Sequence, residues 1–188
     1  DIQQGALRVT DVSFLGTGPI TVQSGAFLDL SIAGTQSLNQ TVTGAGALRK
    51  SDLGDLTLLS NSLTGGLDIV GGRVIVSNAA AIGGGPVSMA ADTQLVFNNS
   101  TTEGISNPIS GAGTLTKDGT GQLAINSANT YSGGTLVNNG RIVANATGAF
   151  GTGQVVVLSG AEVGIGGVTI ANNISGSGMV IKTANNTG

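Results

Sequence analysis

Carboxylates are the side chains in this sequence that come nearest to a catalytic arrangement. Asp52, Asp55 and Asp68 form its densest acidic group, and two of them have partners at similar spacings, Asp29 with Asp52 and Asp68 with Asp92. If the fold repeats at about that length, each pair would lie on neighbouring coils. Two carboxylates at a suitable separation can hydrolyse a glycosidic bond. Solvated turns are the other interpretation of these residues, and we therefore assign no catalytic residue.

The remaining catalytic chemistry is limited by what the composition lacks. The chain contains no Cys and no His. Thiolate nucleophiles and sulfur ligands are therefore absent, and so are imidazole ligands and the commonest general base. The sequence predicts no cofactor-binding residue, no metal site and no enzymatic activity.

The basic residues are few and scattered. Lys and Arg together number seven, and the formal net charge is -3. Phosphate backbones are bound by clustered cations, so we expect no nucleic-acid partner. Lys50, Lys117 and Lys182 recur at a nearly constant spacing. They could form a basic ladder for anionic glycans, but copies three coils apart would be separated by ~14 Å. We predict instead that they face solvent and keep the surface soluble.

Two glycine-rich segments resemble phosphate-binding loops. They are Gly83–Gly85 and the Gly-x-x-Gly-x-Gly run from Gly148 to Gly153. A dinucleotide-binding loop needs a helix N-terminus directly after it. No helical pattern follows either segment, and we interpret both as turns.

Two other short motifs carry weaker signals. Asn98-Asn99-Ser100 and Asn145-Ala146-Thr147 match the pattern of glycosylation acceptors. Stacked asparagines in the turns of a repetitive fold are the alternative interpretation. Tyr131 is the single tyrosine of the chain, and we expect it to pack at a corner of the fold without a ligand role.

Composition points to a fold built from small side chains. Gly accounts for 33 of 188 residues, whereas charged residues make up 9% and aromatic residues 3%. A conventional core draws much of its buried area from large side chains. Disorder is equally disfavoured, because 39% of residues are hydrophobic and the net charge is small. No apolar run approaches 18 residues, so we expect no helical membrane span.

The chain repeats itself with a period of about 67 residues. The segment GAGALRKSDLGDLTLLSNS from Gly44 returns from Gly111 as GAGTLTKDGTGQLAINSAN, and a further copy opens at Gly176. The pattern divides the chain into a partial copy, a degenerate copy, a best-matching copy and the start of another: residues 1–43, 44–110, 111–175 and 176–188. We expect one elongated unit that forms part of a longer array.

Each copy consists of short runs with period two, such as Leu56-Thr57-Leu58 and Val74-Ile75-Val76, separated by Gly- and Asn-containing turns. This pattern predicts an all-β parallel solenoid. With roughly 22 residues in each coil, one copy makes about three coils and the chain about eight or nine. An antiparallel sandwich with Asn-Gly hairpins is the alternative, but it does not account for a 67-residue period.

These residues resemble the passenger-associated transport repeat of bacterial autotransporters, the type V secretion proteins. The best match is Gly111–Gly153, with its Gly-Thr-Leu-Thr-Lys opening, its Asn129–Thr135 segment NTYSGGT and its closing Gly-x-Gly. The copy from Gly44 is degenerate, because Ser62-Leu63-Thr64 stands where the asparagine–threonine–tyrosine triplet would be expected. With the partial copies, the resemblance covers most of the chain.

The resemblance implies a single-stranded, right-handed parallel β-helix, exported through a C-terminal outer-membrane barrel that lies outside this chain. It also implies a cell-surface or extracellular location and a role as a passenger stalk, in an adhesin or virulence factor. Export-coupled folding and display would then be the function. Two alternatives remain open: a glycan-cleaving β-helix enzyme with paired Asp residues, and a module that itself binds a host-surface glycan or matrix protein.

Overall fold

The structure is a computed structural model that describes residues 1–182 of the chain. It contains 22 short strands and two 3-10 helices, arranged as a β-solenoid of about nine coils. Every strand pairing within the described residues is parallel. The predicted all-β parallel solenoid is confirmed, and the antiparallel sandwich is excluded.

Two faces of the solenoid are continuous parallel sheets. Face 1 consists of β1 (Ala6–Val9), β3 (Phe27–Ser31), β6 (Ala47–Ser51), β9 (Leu67–Ile69), β11 (Val87–Met89) and β14 (Ile109–Gly111). Face 2 consists of β4 (Gln36–Leu38), β7 (Asp55–Leu58), β10 (Arg73–Val76), β12 (Gln94–Phe97), β15 (Thr114–Lys117), β17 (Thr135–Val137), β19 (Val155–Val157) and β21 (Ile174–Gly176).

Face 3 is interrupted part-way along the rod. Its first sheet consists of β2 (Ile20–Thr21), β5 (Val42–Gly44) and β8 (Asn61–Leu63). Its second sheet consists of β13 (Glu103–Ile105), β16 (Gln122–Ile125), β18 (Arg141–Ala144), β20 (Glu162–Ile165) and β22 (Met179–Lys182). Between them lies the 3-10 helix η2 (Ala79–Ile82), which contacts both β8 and β13. The chain thus visits face 1, face 2 and face 3 in turn.

A coil is slightly shorter than the sequence suggested. On face 2, Leu95 pairs with Leu115, and Leu115 pairs with Thr135, so each of these coils takes 20 residues. The expectation of roughly 22 residues was therefore too high. The difference matters for the stacking of side chains, because a residue 22 positions away no longer lies directly above its partner.

The interior is formed by every second residue of each strand. On face 2 the inward columns hold Leu56, Val74 and Leu95, which are all fully buried. Alternation places the neighbouring residues on the outer surface. Burying one such aliphatic side chain contributes on the order of 1.5–3 kcal/mol. A period-two pattern therefore suffices to fix which side of every strand faces the core.

Successive sequence repeats do not lie above each other. Leu48 belongs to β6 on face 1, whereas its counterpart Leu115 belongs to β15 on face 2. Likewise Leu56 lies on face 2 and its counterpart Leu123 on face 3. With coils of about 20 residues, a 67-residue repeat makes three coils and one further strand. Each repeat is consequently shifted to the next face of the solenoid.

The 3-10 helices follow the same shift. The segment η1 (Val12–Leu15) occupies the face 2 position of the first coil, and η2 occupies face 3 in the fourth. The sequence predicts that a helix at Asn78–Ala81 would be too short to matter and would stop at Gly83. The structure confirms a single turn, in which the Asn78 side chain accepts from Ala80 N and Gly83 forms the C-cap.

The glycine that opens each copy is required by close backbone contact. Gly44, Gly111 and Gly176 have φ angles of 118°, 102° and 111°. A Cβ on Gly111 would lie 2.0 Å from the carbonyl oxygen of Met89 in the preceding coil. Neither the angle nor the contact is compatible with an L side chain. The recurrence of this glycine therefore reflects the stacking distance of the coils.

We predict that Gly111→Ala lowers the free energy of unfolding by at least about 3 kcal/mol, since it combines a strained φ with a backbone clash. Urea unfolding followed by far-UV circular dichroism measures this loss. Gly18→Ala is the matched control, because a Cβ at Gly18 meets no atom within 4 Å. It should change the stability by less than about 0.5 kcal/mol. Equal losses in both variants would contradict the steric explanation.

Candidate functional site

The first predicted carboxylate pair is not brought together. Asp29 lies on face 1 directly opposite Arg49 of the next coil. Its Oδ1 accepts a hydrogen bond of 2.6 Å from Ser51 Oγ. Asp52 lies beyond the end of β6, in a turn with a φ of 68°. The 23-residue spacing therefore does not stack the two carboxylates in register, because the coil is shorter than the spacing.

The second pair is separated in the same way. Asp68 lies opposite Ser88 of the next coil, whose hydroxyl donates to it, and Arg49 of the preceding coil donates to it at 2.9 Å. Asp92 lies in the turn after β11, with a φ of 62°. Asp55 is also occupied, because the Arg73 guanidinium donates to both of its oxygens. These hydrogen bonds from Arg73 hold the pKa of Asp55 below its ordinary value.

Every arginine of the chain lies opposite an acidic residue of a neighbouring coil. The four register pairs that form ion pairs are Arg8 with Asp29, Arg49 with Asp68, Arg73 with Asp55, and Arg141 with Glu162. Pairs of this kind on a wet surface contribute little stability, about 0–1 kcal/mol each. They do neutralise the outer faces locally, which agrees with the expectation that no dense basic patch exists for nucleic acid.

Lys50 is in the interior, and the expectation that it faces solvent is wrong. It occupies an inward position of β6, between Leu30 and Ile69 of the adjacent coils, and is fully buried. Its ammonium group donates to the carbonyl oxygens of Ser51 and Asp52, each at 2.8 Å. It also donates to carbonyls of both neighbouring coils, Ile32 and Gly71, each at 3.3 Å. One side chain therefore connects three coils.

Lys117 repeats this arrangement one face further along. It is fully buried, lies inward between Phe97 and Val137, and donates to the carbonyl oxygen of Gly119. The expectation of a solvent-facing charge is therefore wrong here as well. Lys182 takes the inward position above Ile165 on face 3 and is exposed. The three lysines lie on three different faces, and they do not form a ladder.

Burial affects the protonation of the interior lysines. Loss of solvent lowers the pKa of both Lys50 and Lys117, and nearby carboxylates such as Asp52 and Asp118 partly oppose this effect. Each ammonium is held by turn carbonyls that would otherwise lack a donor. The lysines act as caps for the turns at the corners of the solenoid, and no catalytic use follows from their geometry.

Amide side chains perform the same task at the glycine-rich turns, which sequence analysis treated as turns only. Asn107 Nδ2 donates to the carbonyl oxygens of Gly83 and Gly85, at 3.0 Å and 2.7 Å. Asn172 binds the in-phase turn at Gly153 O, 2.7 Å away, and Gln40 binds the turn at Gly16 O. The sequence signal, missed earlier, is an amide residue about one coil after each Gly-x-Gly.

The conserved-looking triplet of the best-matching copy is buried, as expected for Tyr131. Tyr131 is fully buried, and its hydroxyl shares a 2.6 Å hydrogen bond with Thr135 Oγ1. Burial raises the pKa of Tyr131 well above its ordinary value. Asn129 accepts from Ile109 N at 2.8 Å and donates to Ala149 O at 2.7 Å. The triplet therefore joins adjacent coils.

The other motifs remain surface turns in the described part of the chain. Asn98 and Asn145 are exposed, and Asn145 donates to Asn126 Oδ1 at 2.9 Å. Within residues 1–182 no group of three or more potential ligands could hold a metal ion. The same residues contain no helix long and apolar enough to cross a membrane.

We predict that Lys117→Met lowers the free energy of unfolding by about 1–3 kcal/mol, since it leaves buried carbonyls without a donor. Chemical denaturation at neutral pH measures the change. Lys182→Met is the control at the in-phase position and should alter stability by less than about 0.5 kcal/mol, because Lys182 is exposed. A stabilised Lys117→Met protein would show that burying the charge costs more than its hydrogen bonds return.

Stability should also depend on alkaline pH. Lys50 and Lys117 have lowered pKa values in the folded state, so the unfolded chain binds more protons between those values and the ordinary lysine pKa. The free energy of unfolding should therefore rise with pH across that window. Above the ordinary tyrosine pKa it should fall again, because folded Tyr131 keeps its proton. Urea midpoints of the wild type and of the Lys50→Met, Lys117→Met double variant test this, and an equal rise in both would contradict it.

Comparison with known proteins gives two matches and one absence. The model of the passenger-associated transport repeat matches residues 48–76 and 115–144. The chain is 32% identical over 200 residues to the protein named Adhesin BmaC autotransporter, of Brucella suis biovar 1 (strain 1330). That alignment covers 85% of this chain and 6% of the relative, so the chain corresponds to a small part of the relative's length. No solved structure matches the chain significantly.

The matched ranges coincide with equivalent structural segments. Residues 48–76 run from β6 to β10, and residues 115–144 run from β15 to β18, one face further round. Each range contains an interior lysine and the strand that follows its turn. The repeats, the parallel solenoid and the relative together identify the chain as a passenger domain of a bacterial autotransporter, located at the cell surface or outside the cell.

Proposed function

We propose that this passenger domain is a stalk that supports export-coupled folding and holds a binding region of an adhesin or virulence factor away from the cell. The observation that carries the proposal is the unbroken pairing of eight strands along face 2, from β4 to β21. A rod in which each coil contacts mainly its neighbours can fold by adding one coil at a time. The partner in export is the domain's own C-terminal outer-membrane barrel.

The side-chain chemistry supports a structural role and not an enzymatic one. The arginines are engaged with acidic residues, and the buried lysines hold turn carbonyls. The relative that covers most of this chain carries the word adhesin in its name. We therefore assign no catalytic activity and place surface adhesion, with a host-surface glycan or matrix protein, among the proposed roles of the whole protein.

Directional folding requires that the coils differ in stability, and their contacts differ in that sense. In the best-matching copy Asn129, Tyr131 and Asn172 all have partners in adjacent coils or turns. In the degenerate copy the equivalent of Asn129 is Asn61, whose Nδ2 has no partner among the described residues. The coils formed by residues 109–165 should therefore be the most stable part of the rod, and the coils before them should add onto this part.

Native-state hydrogen exchange on the whole chain tests the proposal. We expect the slowest exchange for backbone amides of residues 109–165 and progressively faster exchange in the coils toward the N-terminus. Substituting Asn129 by Ala should shorten this gradient by accelerating exchange in the coils on both sides, whereas substituting the exposed Asn98 by Ala should leave it unchanged. Coils that exchange independently, with no gradient along the rod, would count against export-coupled folding.

A further inference from the structure

The interruption of face 3 leaves a cleft in the outer surface of the solenoid. The cleft has a volume of about 510 Å³ and lies between β8 and η2 of the next coil. Such a volume falls in the range of small-ligand sites. The lining residues that matter below are Leu59, Ser60, Asn61, Thr64, Asn78 and Gly84.

The cleft lies where the degenerate copy departs from the other copies. Gly84 occupies the centre of its Gly-x-Gly turn, whereas Thr17 and Thr152 occupy the same position in the other two copies. Leu63 stands where the best-matching copy has Tyr131. Both departures remove side-chain volume from this part of the fold. The cleft is thus associated with residues specific to this copy and is not a general property of the repeat.

Polar groups at the cleft have no partner in the described structure. Asn61 is 5% exposed, and its Nδ2 is buried without an acceptor. The in-phase Asn129 donates the same atom to Ala149 O at 2.7 Å. An unpaired buried donor is unfavourable, and an acceptor entering from the cleft would relieve that cost.

The rim of the cleft adds further uncommitted groups. Asn78 uses its Oδ1 to cap η2, which leaves its Nδ2 free to donate. Ser60 and Thr64 are exposed, and their hydroxyls have no hydrogen bond within residues 1–182. Among the described residues that line the cleft none is charged. Leu59, 52% exposed, supplies an apolar wall.

We propose that this cleft binds a neutral oligosaccharide. Hydroxyl and amide groups without nearby charge match the hydroxyl groups of a neutral sugar, which both donate and accept. The exposed Leu59 side chain suits the apolar C–H face of a pyranose ring. The inference rests on the proposed surface display, because only an exported rod would meet such a ligand. It assigns a direct binding role to the degenerate copy, in addition to support.

Gly84→Leu is the decisive variant because it fills the cleft with little strain. The nearest atom to a Cβ at Gly84 is Thr64 Cγ2 at 3.8 Å, and its φ lies outside the left-handed region. Thr152→Leu adds a side chain of the same kind at the in-phase turn of the best-matching copy and is the matched control. Both variants should unfold at the same urea concentration as the wild type, within error.

Binding is measured by isothermal titration and by amide chemical-shift changes, with maltohexaose, cellohexaose and chitohexaose as neutral probes and a heparin hexasaccharide as the anionic comparator. We expect at least one neutral probe to shift the amides of residues 59–64 and 78–84. Gly84→Leu should weaken that binding at least about tenfold, and Thr152→Leu should not. Binding by no neutral probe, by heparin alone, or equally to both variants overturns the proposal. The hydrogen-exchange gradient is independent of these results, so failure of the cleft and failure of the stalk can be told apart.

Discussion

The structure depends on the parallel backbone pairing of each coil with the coils above and below it. Each strand is only two to five residues long and would not be stable alone. The pairing continues over eight strands on face 2 and six on face 1, which makes the backbone the main scaffold. Small side chains are a consequence, because the coils approach so closely that a Cβ at Gly111 would collide with Met89 O. The glycine-rich composition and the low aromatic content follow from this distance.

Tight corners create the difficulty that such a rod must solve, since carbonyls at the corners turn away from the ladder. Two devices supply donors from the side chains. Lys50 reaches from the interior to carbonyls of three successive coils. Asn107 and Asn172 bind the carbonyls of the glycine-rich turns one coil earlier. Both devices join coils that are distant in sequence, so they stabilise the stack as well as the turn.

The architecture could be predicted from the sequence, whereas the positions of side chains between coils could not. Alternation and the 67-residue period are local properties and predict parallel strands and a solenoid. Stacking depends on the exact coil length, and an error of two residues was enough to suggest that Asp29 and Asp52 meet. The burial of Lys50 and Lys117 was also missed, because a lysine in a polar-looking turn reads as solvated unless the carbonyls around it are known. The cleft depends on an interrupted sheet, which composition does not reveal.

The shift of each repeat to the next face gives the array the symmetry of a screw. Three coils and one strand correspond to a rotation of a third of a turn and an advance of ~16 Å along the rod, at ~4.8 Å per coil. Three repeats therefore complete a ten-coil period of ~48 Å. The 3-10 turns at η1 and η2 mark two steps of this screw. Local weaknesses such as the break in face 3 are distributed around the circumference, and bending stiffness is thereby averaged over all directions.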